Sequence, residues 1–171
     1  MSLIVKLLRK LILLRSLNYK HIIYGSKVIT KGQVKIGKNV KIRNSNIFVD
    51  SNSSLIIEDG CLLEKVKIRV KGNVLIGKDS IIEKKCSSKF LEFVGQGNII
   101  VGNNSRIRSR IWVRFNGQVI IGNFTNINEF SEIRCDESVI IGDFCQISYN
   151  VMIWDTNTHN IYPAQERRKL T

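Results

Sequence analysis

Aliphatic residues recur along most of this chain in steps of six, as in Ile121, Ile127 and Ile133 and then Ile141, Ile147 and Ile153. Six residues sweep about 600° around a helix of 3.6 residues per turn, so such positions would scatter over a helical surface. A short unit punctuates the pattern: an aliphatic residue, then Gly or an acid, two variable residues and a small residue. It forms Ile36–Val40, Ile57–Cys61, Ile76–Ser80, Val101–Ser105, Ile121–Thr125 and Ile141–Cys145, with first residues separated by 21, 19, 25, 20 and 20. A triangular coil of three short strands per turn accounts for this, each strand sending one aliphatic side chain inward. The closing column, Val40, Cys61, Ser80, Ser105, Thr125 and Cys145, is small throughout, as a tight corner requires. Val101, Ile107 and Val113 read as a third set of six-residue steps. Each coil of eighteen is lengthened by two residues, at Gly117–Gln118 or near Glu137–Ser138. Only residues 82–101 depart, where the spacing of 25 predicts an added loop.

Residues 2–24 have a different texture. They contain no Gly or Pro, are rich in Leu, and set Lys6, Arg9 and Lys10 opposite Ile4, Leu7, Leu8 and Leu11. That pattern predicts an amphipathic helix over most of the span. It would serve as a cap over the open first edge of the solenoid or as an interfacial helix on anionic lipid. The expected organisation is a basic helix or cap over 1–27, an all-β solenoid over 28–153 and a terminal loop segment over 154–171.

At 171 residues and 43% hydrophobic, the chain suits one domain with a substantial core. The net charge of +13 is concentrated early: residues 1–50 carry 11 basic groups and one acidic, 51–100 eight and six, 101–171 eight and seven. A basic face attracts anionic partners such as phospholipid, nucleic acid or acidic polysaccharide. Nucleic acid fits least, because no binding motif or interleaved aromatic platform accompanies the early charge. Cys61, Cys86, Cys135 and Cys145 show no CxxC spacing and read as reduced thiols packed as small apolar side chains, with no metal site expected. No cleavable signal is evident, and the longest unbroken apolar run near the start, Leu11–Leu14, is far short of the ~20 residues a spanning helix needs. A cytoplasmic protein is expected, with peripheral contact to an anionic membrane through residues 2–24.

The six motifs resemble the hexapeptide-repeat family of left-handed parallel β-helices over roughly residues 28–153. The left hand is implied by that resemblance, since general β-crossover chirality favours the opposite one. After Ile153 the repeat gives way to WDTNTHNIYPAQERRK, with the chain's only proline, Pro163, and one of its two histidines, His159; the other is His21. Many members are acetyl-CoA-dependent acyltransferases, and this segment is similar to those acting on sugar hydroxyls, through Thr158–His159, Pro163 and Glu166–Arg167. The resemblance implies His159 as general base, Asn128 in the acceptor site, Asp136 at a neighbouring corner, acetyl-CoA as donor, and a homotrimer with active sites at subunit boundaries. The family's further coils, which line the pantetheine channel, have no counterpart before Thr171, so a chain cut short of its donor-binding half is expected.

Acyl transfer to an alcohol requires removal of the hydroxyl proton as its oxygen attacks the thioester, and imidazole accepts a proton near neutral pH. A backbone N–H or similar donor would stabilise the oxyanion. A carboxylate or carbonyl would hold the second ring nitrogen, and Asp136 and Asp155 are candidates. Asn128 would hydrogen-bond the acceptor, while Trp154 either stacks on a sugar ring or covers the coil end. Asn and Asp also occupy solenoid corners for turn reasons alone. The expected function is O-acetyl transfer to a saccharide hydroxyl in surface-polysaccharide or glycan assembly. The alternative is a non-catalytic trimeric scaffold that has lost donor binding.

Overall fold

The computed structural model describes residues 22–84, 91–95 and 97–156. Twenty strands, numbered in chain order, fall by threes into three sheets. The first sheet stacks β1 (Ile22–Tyr24), β4 (Lys41–Arg43), β7 (Leu62–Glu64), β10 (Ile81–Glu83), β13 (Arg106–Ile107), β16 (Asn126–Ile127) and β19 (Gln146–Ile147). The second stacks β2 (Lys27–Thr30), β5 (Asn46–Val49), β8 (Val66–Val70), β11 (Leu91–Gly95), β14 (Arg110–Val113), β17 (Glu132–Cys135) and β20 (Met152–Trp154). The third stacks β3 (Gln33–Ile36), β6 (Ser54–Ile57), β9 (Asn73–Ile76), β12 (Asn98–Val101), β15 (Gln118–Ile121) and β18 (Ser138–Ile141). Every neighbouring pair is parallel, and the chain makes about six turns of a parallel β-solenoid.

Strand alternation sends every second residue inward. The third sheet shows the result as a column, Ile36, Ile57, Ile76, Val101, Ile121 and Ile141, each the register partner of the next. Four of these are at most 1% exposed, whereas Ile141 on the last coil is 8% exposed. The small closing column carries hydrogen bonds as well as limited volume. Ser80 Oγ donates to the Gly102 carbonyl (2.7 Å) and accepts from the Ser105 N–H (3.0 Å). Ser105 and Thr125 repeat the arrangement toward Gly122 and Gly142. Buried corner backbone is satisfied in this way one coil at a time. The preceding residue in the unit takes a left-handed backbone, with φ of 57° at Asn39, 75° at Gly60, 55° at Asp79 and 54° at Asn104. Gly, Asn and Asp adopt that conformation most readily. Phe124 and Phe144 occupy the same corner at 53° and 58°, with their rings stacked 5.2 Å apart.

At Gly122 the absence of a side chain is matched to a close approach of the next coil. A Cβ on Gly122 would meet the Asp143 carboxylate and lie 2.5 Å from the Gly142 carbonyl carbon, because Asp143 reaches back to accept the Asn123 N–H at 2.6 Å. Gly142, the same position on the last described coil, has nothing within 4 Å. Gly122→Ala is therefore expected to lose about 1–3 kcal/mol through forced backbone shift, and Gly142→Ala less than about 0.5 kcal/mol. Urea titrations of the two variants read the contrast, and equal losses would show that the coil-to-coil contact is not the cause.

Two expectations are corrected. The predicted N-terminal amphipathic helix is not found: no helix occurs among the described residues, and Ile22–Tyr24, at the end of the span assigned to it, pairs parallel with Lys41–Arg43. The β-branched Ile22 and Ile23 gain a ladder there, with Ile23 over the buried Ile42. The solenoid is thus under way by residue 22, inside the unit expected to be a cap, and residues 1–21 lie outside the described ones. The extra length expected within 82–101 lies between Ile82 and Phe93, eleven residues apart where their partners Leu63 and Ile68 are five apart, and Leu91–Gly95 forms a regular strand between β8 and β14. Secondly, the partner of Ile133 is Ile111, and Val113 stands in the column of Cys135. The corner between the first two sheets spans four residues from Ile107 to Ile111 and six from Ile127 to Ile133. The earlier coil recovers its length in the turn at Arg114–Gly117, where Phe115 and Asn116 are left-handed.

Candidate functional site

The end of the second sheet brings together three of the residues singled out from sequence. Trp154 is the register partner of Arg134 on β20, so Asp155 follows directly over Cys135 and beside Asp136. Asp155 has an assigned task. Its Oδ1 accepts the Asp136 N–H at 2.8 Å, and its Oδ2 accepts the N–H groups of Glu137 and Ser138 at 2.7 Å each. Burial pushes this carboxyl up, but the three backbone donors outweigh burial and hold it below its ordinary value. The same carboxylate accepts the Cys135 thiol at 3.4 Å, and burial together with this negative neighbour raises that thiol to about 11.

Asp136 is anchored from the coil below. Arg114 donates from Nε to Oδ1 at 2.7 Å and from Nη2 to Oδ2 at 2.5 Å, a two-pronged pair of the kind guanidinium geometry favours. Those hydrogen bonds hold the Asp136 carboxyl below its ordinary value, aided by Thr156, and raise Arg114 in turn. Asp136 is thus an ionised acceptor on the outer side of the corner, while Asp155 clamps the turn beneath it.

The sign of the pH dependence follows. Both carboxyls titrate lower when folded, so their contribution is complete above the unfolded value of ~3.9 and is lost as pH falls through the depressed folded values. Asp155→Asn is expected to lower the urea midpoint at about pH 7, with the gap to wild type closing below about pH 4. A gap that stays constant across that range would show that the charge of Asp155 does not stabilise the turn.

Asn128 lies apart from this group, at the opposite end of β17 beyond the first sheet. Its Oδ1 accepts Arg108 Nη1 at 3.0 Å, and Arg108 Nε reaches Glu83 at 2.9 Å, in a chain of contacts through three coils. Its amide nitrogen is the end that could donate to an acceptor oxygen. Thr158, His159, Pro163, Glu166 and Arg167 lie outside the described residues, as do His21 and Cys86. The other cysteines are free thiols, Cys61 and Cys135 buried and Cys145 partly so, and burial raises Cys61 to about 11.

Sequence reasoning did not single out Arg114, Trp112 or Arg134. The Arg134 guanidinium lies over the rings of both Trp112 (4.9 Å) and Trp154 (5.6 Å), and Arg110 and Arg114 also approach Trp112, at 4.7 and 5.6 Å. The signal was present in the coil register, since Trp112 and Arg134 are 22 residues apart and Arg134 and Trp154 are 20. It becomes legible only once the corner of four residues is recognised. Among the described residues no helix is long and apolar enough to cross a membrane. No protein-family model, curated protein or solved structure matches the chain.

Proposed function

We propose that this protein is an acyltransferase that moves an acetyl group from acetyl-CoA to a hydroxyl of a saccharide in surface-polysaccharide or glycan assembly, with His159 as general base. The observation that carries the reading is the regular three-sheet parallel solenoid, compatible with hexapeptide-repeat acyltransferases. In the sequence Thr158 and His159 follow Asp155, on the last described coil, by three and four residues.

In the proposed reaction His159 takes the proton of the acceptor hydroxyl as its oxygen bonds to the thioester carbonyl carbon. The tetrahedral oxyanion then collapses, the carbon–sulfur bond breaks, and the imidazolium returns the proton to the departing CoA thiolate. Asp136, ionised and held by Arg114, is the carboxylate assigned to orient the imidazole. Asp155 acts at one remove by fixing the turn that carries Asp136. Asn128 offers its amide to an acceptor oxygen, and a homotrimer is the assembly proposed to bring that corner and the His159 segment of different copies together.

Incubation of the protein with acetyl-CoA and candidate saccharides, following thiol release, tests the reading. Saccharide-dependent release is expected. A folded protein that releases no thiol and shows no calorimetric binding of acetyl-CoA would overturn it in favour of a non-catalytic scaffold.

A further inference from the structure

The outward face of the second sheet carries a feature that acyl transfer does not use. Along successive coils the outward positions read Trp112, Arg134 and Trp154, register partners of one another. The Arg134 guanidinium carbon lies over both indoles, 4.9 Å from the Trp112 ring centroid and 5.6 Å from that of Trp154. Two neighbouring cations are neutralised, Arg110 by Glu132 at 3.2 Å and Arg114 by Asp136. No ion pair among the described residues includes Arg134, and its Nε is buried without an acceptor. Because Nε is enclosed, an anion would meet the guanidinium at its Nη groups, whose charge no carboxylate offsets in an ion pair among the described residues. Trp154, 45% exposed on the last described coil, offers an indole surface beside that charge.

We propose that Trp112, Arg134 and Trp154 form a binding site for an acidic saccharide, with a sugar carboxylate or phosphate on Arg134 and an apolar sugar face against Trp154. Charge complementarity selects the anion, since Arg134 is the unneutralised member of the cluster. The geometry disfavours a nucleic acid strand. A strand stacks successive bases on a series of open aromatic faces, whereas here Trp154 alone of the two indoles is exposed. The saccharide part of the assignment rests on the proposed acceptor class, and the anionic part stands on Arg134 alone.

Trp112 and Trp154 are the only tryptophans in the chain, so intrinsic fluorescence reports this site directly. The experiment titrates the full chain with short oligogalacturonate, with its neutral methyl ester, and with oligothymidylate. Oligogalacturonate is expected to change the fluorescence and to bind about tenfold or more tightly than the ester. Arg134→Ala should abolish that difference. Arg134→Lys keeps the charge and should lose part of it, because ammonium lacks the planar fork of N–H donors that meets a carboxylate or phosphate. Arg69→Ala, on the same sheet at Phe48, should change nothing. Equal binding of acid and ester, absence of any response, or tighter binding of oligothymidylate would overturn the site. Acetyl transfer measured alongside separates the two proposals. Transfer without acid preference defeats this inference alone, and acid binding without transfer to any saccharide defeats the acyltransferase reading alone.

Discussion

Phe93→Ala is expected to cost about 3–5 kcal/mol, among the largest stability losses available to a single substitution in this chain. Phe93 is fully buried on β11, where its column runs Ile47, Ile68, Phe93, Ile111, Ile133 and Ile153. Among the described residues it is the single aromatic ring in the buried core. Ile68 and Ile111 above and below are β-branched and stiff at χ1, so they cannot swing to fill the cavity. Partial collapse moderates such losses elsewhere, and its absence here places the expected cost toward the upper end. The position adds a second effect. Each coil of a solenoid contacts only its neighbours, so a cavity in the fourth coil weakens the coupling between the coils before it and those after. Urea unfolding followed by circular dichroism should show a lower midpoint and a broader transition than wild type. Phe93→Leu, which keeps most of the volume, should lose much less. An alanine variant within about 1 kcal/mol of wild type would show that β11 does not carry the core in this way.

The same residue shows what could be read from the chain. The repeat is a local rule, so the six aliphatic–glycine units announce the columns of the third sheet and the small corner without tertiary information. β11 was hidden because the unit spacing stretches to 25 there and masks the alternation of Leu91, Phe93 and Gly95. Ile22–Tyr24 was hidden for a different reason. Three residues have no periodicity of their own, and their strand state comes from the ladder that Lys41–Arg43 offers. At the site, acidic residues were recognisable as types, but their tasks were not. Asp155 was a candidate to orient His159, and three backbone N–H groups claim its oxygens. Asp136 and Arg114, 22 residues apart, meet only because Val113 pairs with Cys135. Such pairings depend on the summed lengths of two corners, and an error of two residues moves a side chain to a different column on the same face.

His159→Ala is expected to lower saccharide-dependent acetyl transfer by about 10²–10⁴-fold, the range a positioned general base contributes. Wild-type kcat/KM should rise with pH through a limb above the ~6.5 of an ordinary imidazole, raised by the Asp136 carboxylate, and then level off. That limb should vanish in the alanine variant, since what remains is attack by an unassisted hydroxyl. Asp136→Asn separates orientation from base strength. The amide retains shape but loses the charge that meets Arg114, so transfer should fall by less than in His159→Ala and the imidazole limb should shift to lower pH. Asp155 provides the control. Its carboxylate is spent on the turn, so Asp155→Asn should reduce activity only as far as it loosens the corner beneath Asp136, and should leave the imidazole limb in place. Thiol release across pH distinguishes these outcomes. Activity of His159→Ala within about twofold of wild type would remove imidazole from the mechanism, and an unchanged pH limb in Asp136→Asn would remove Asp136 from its side.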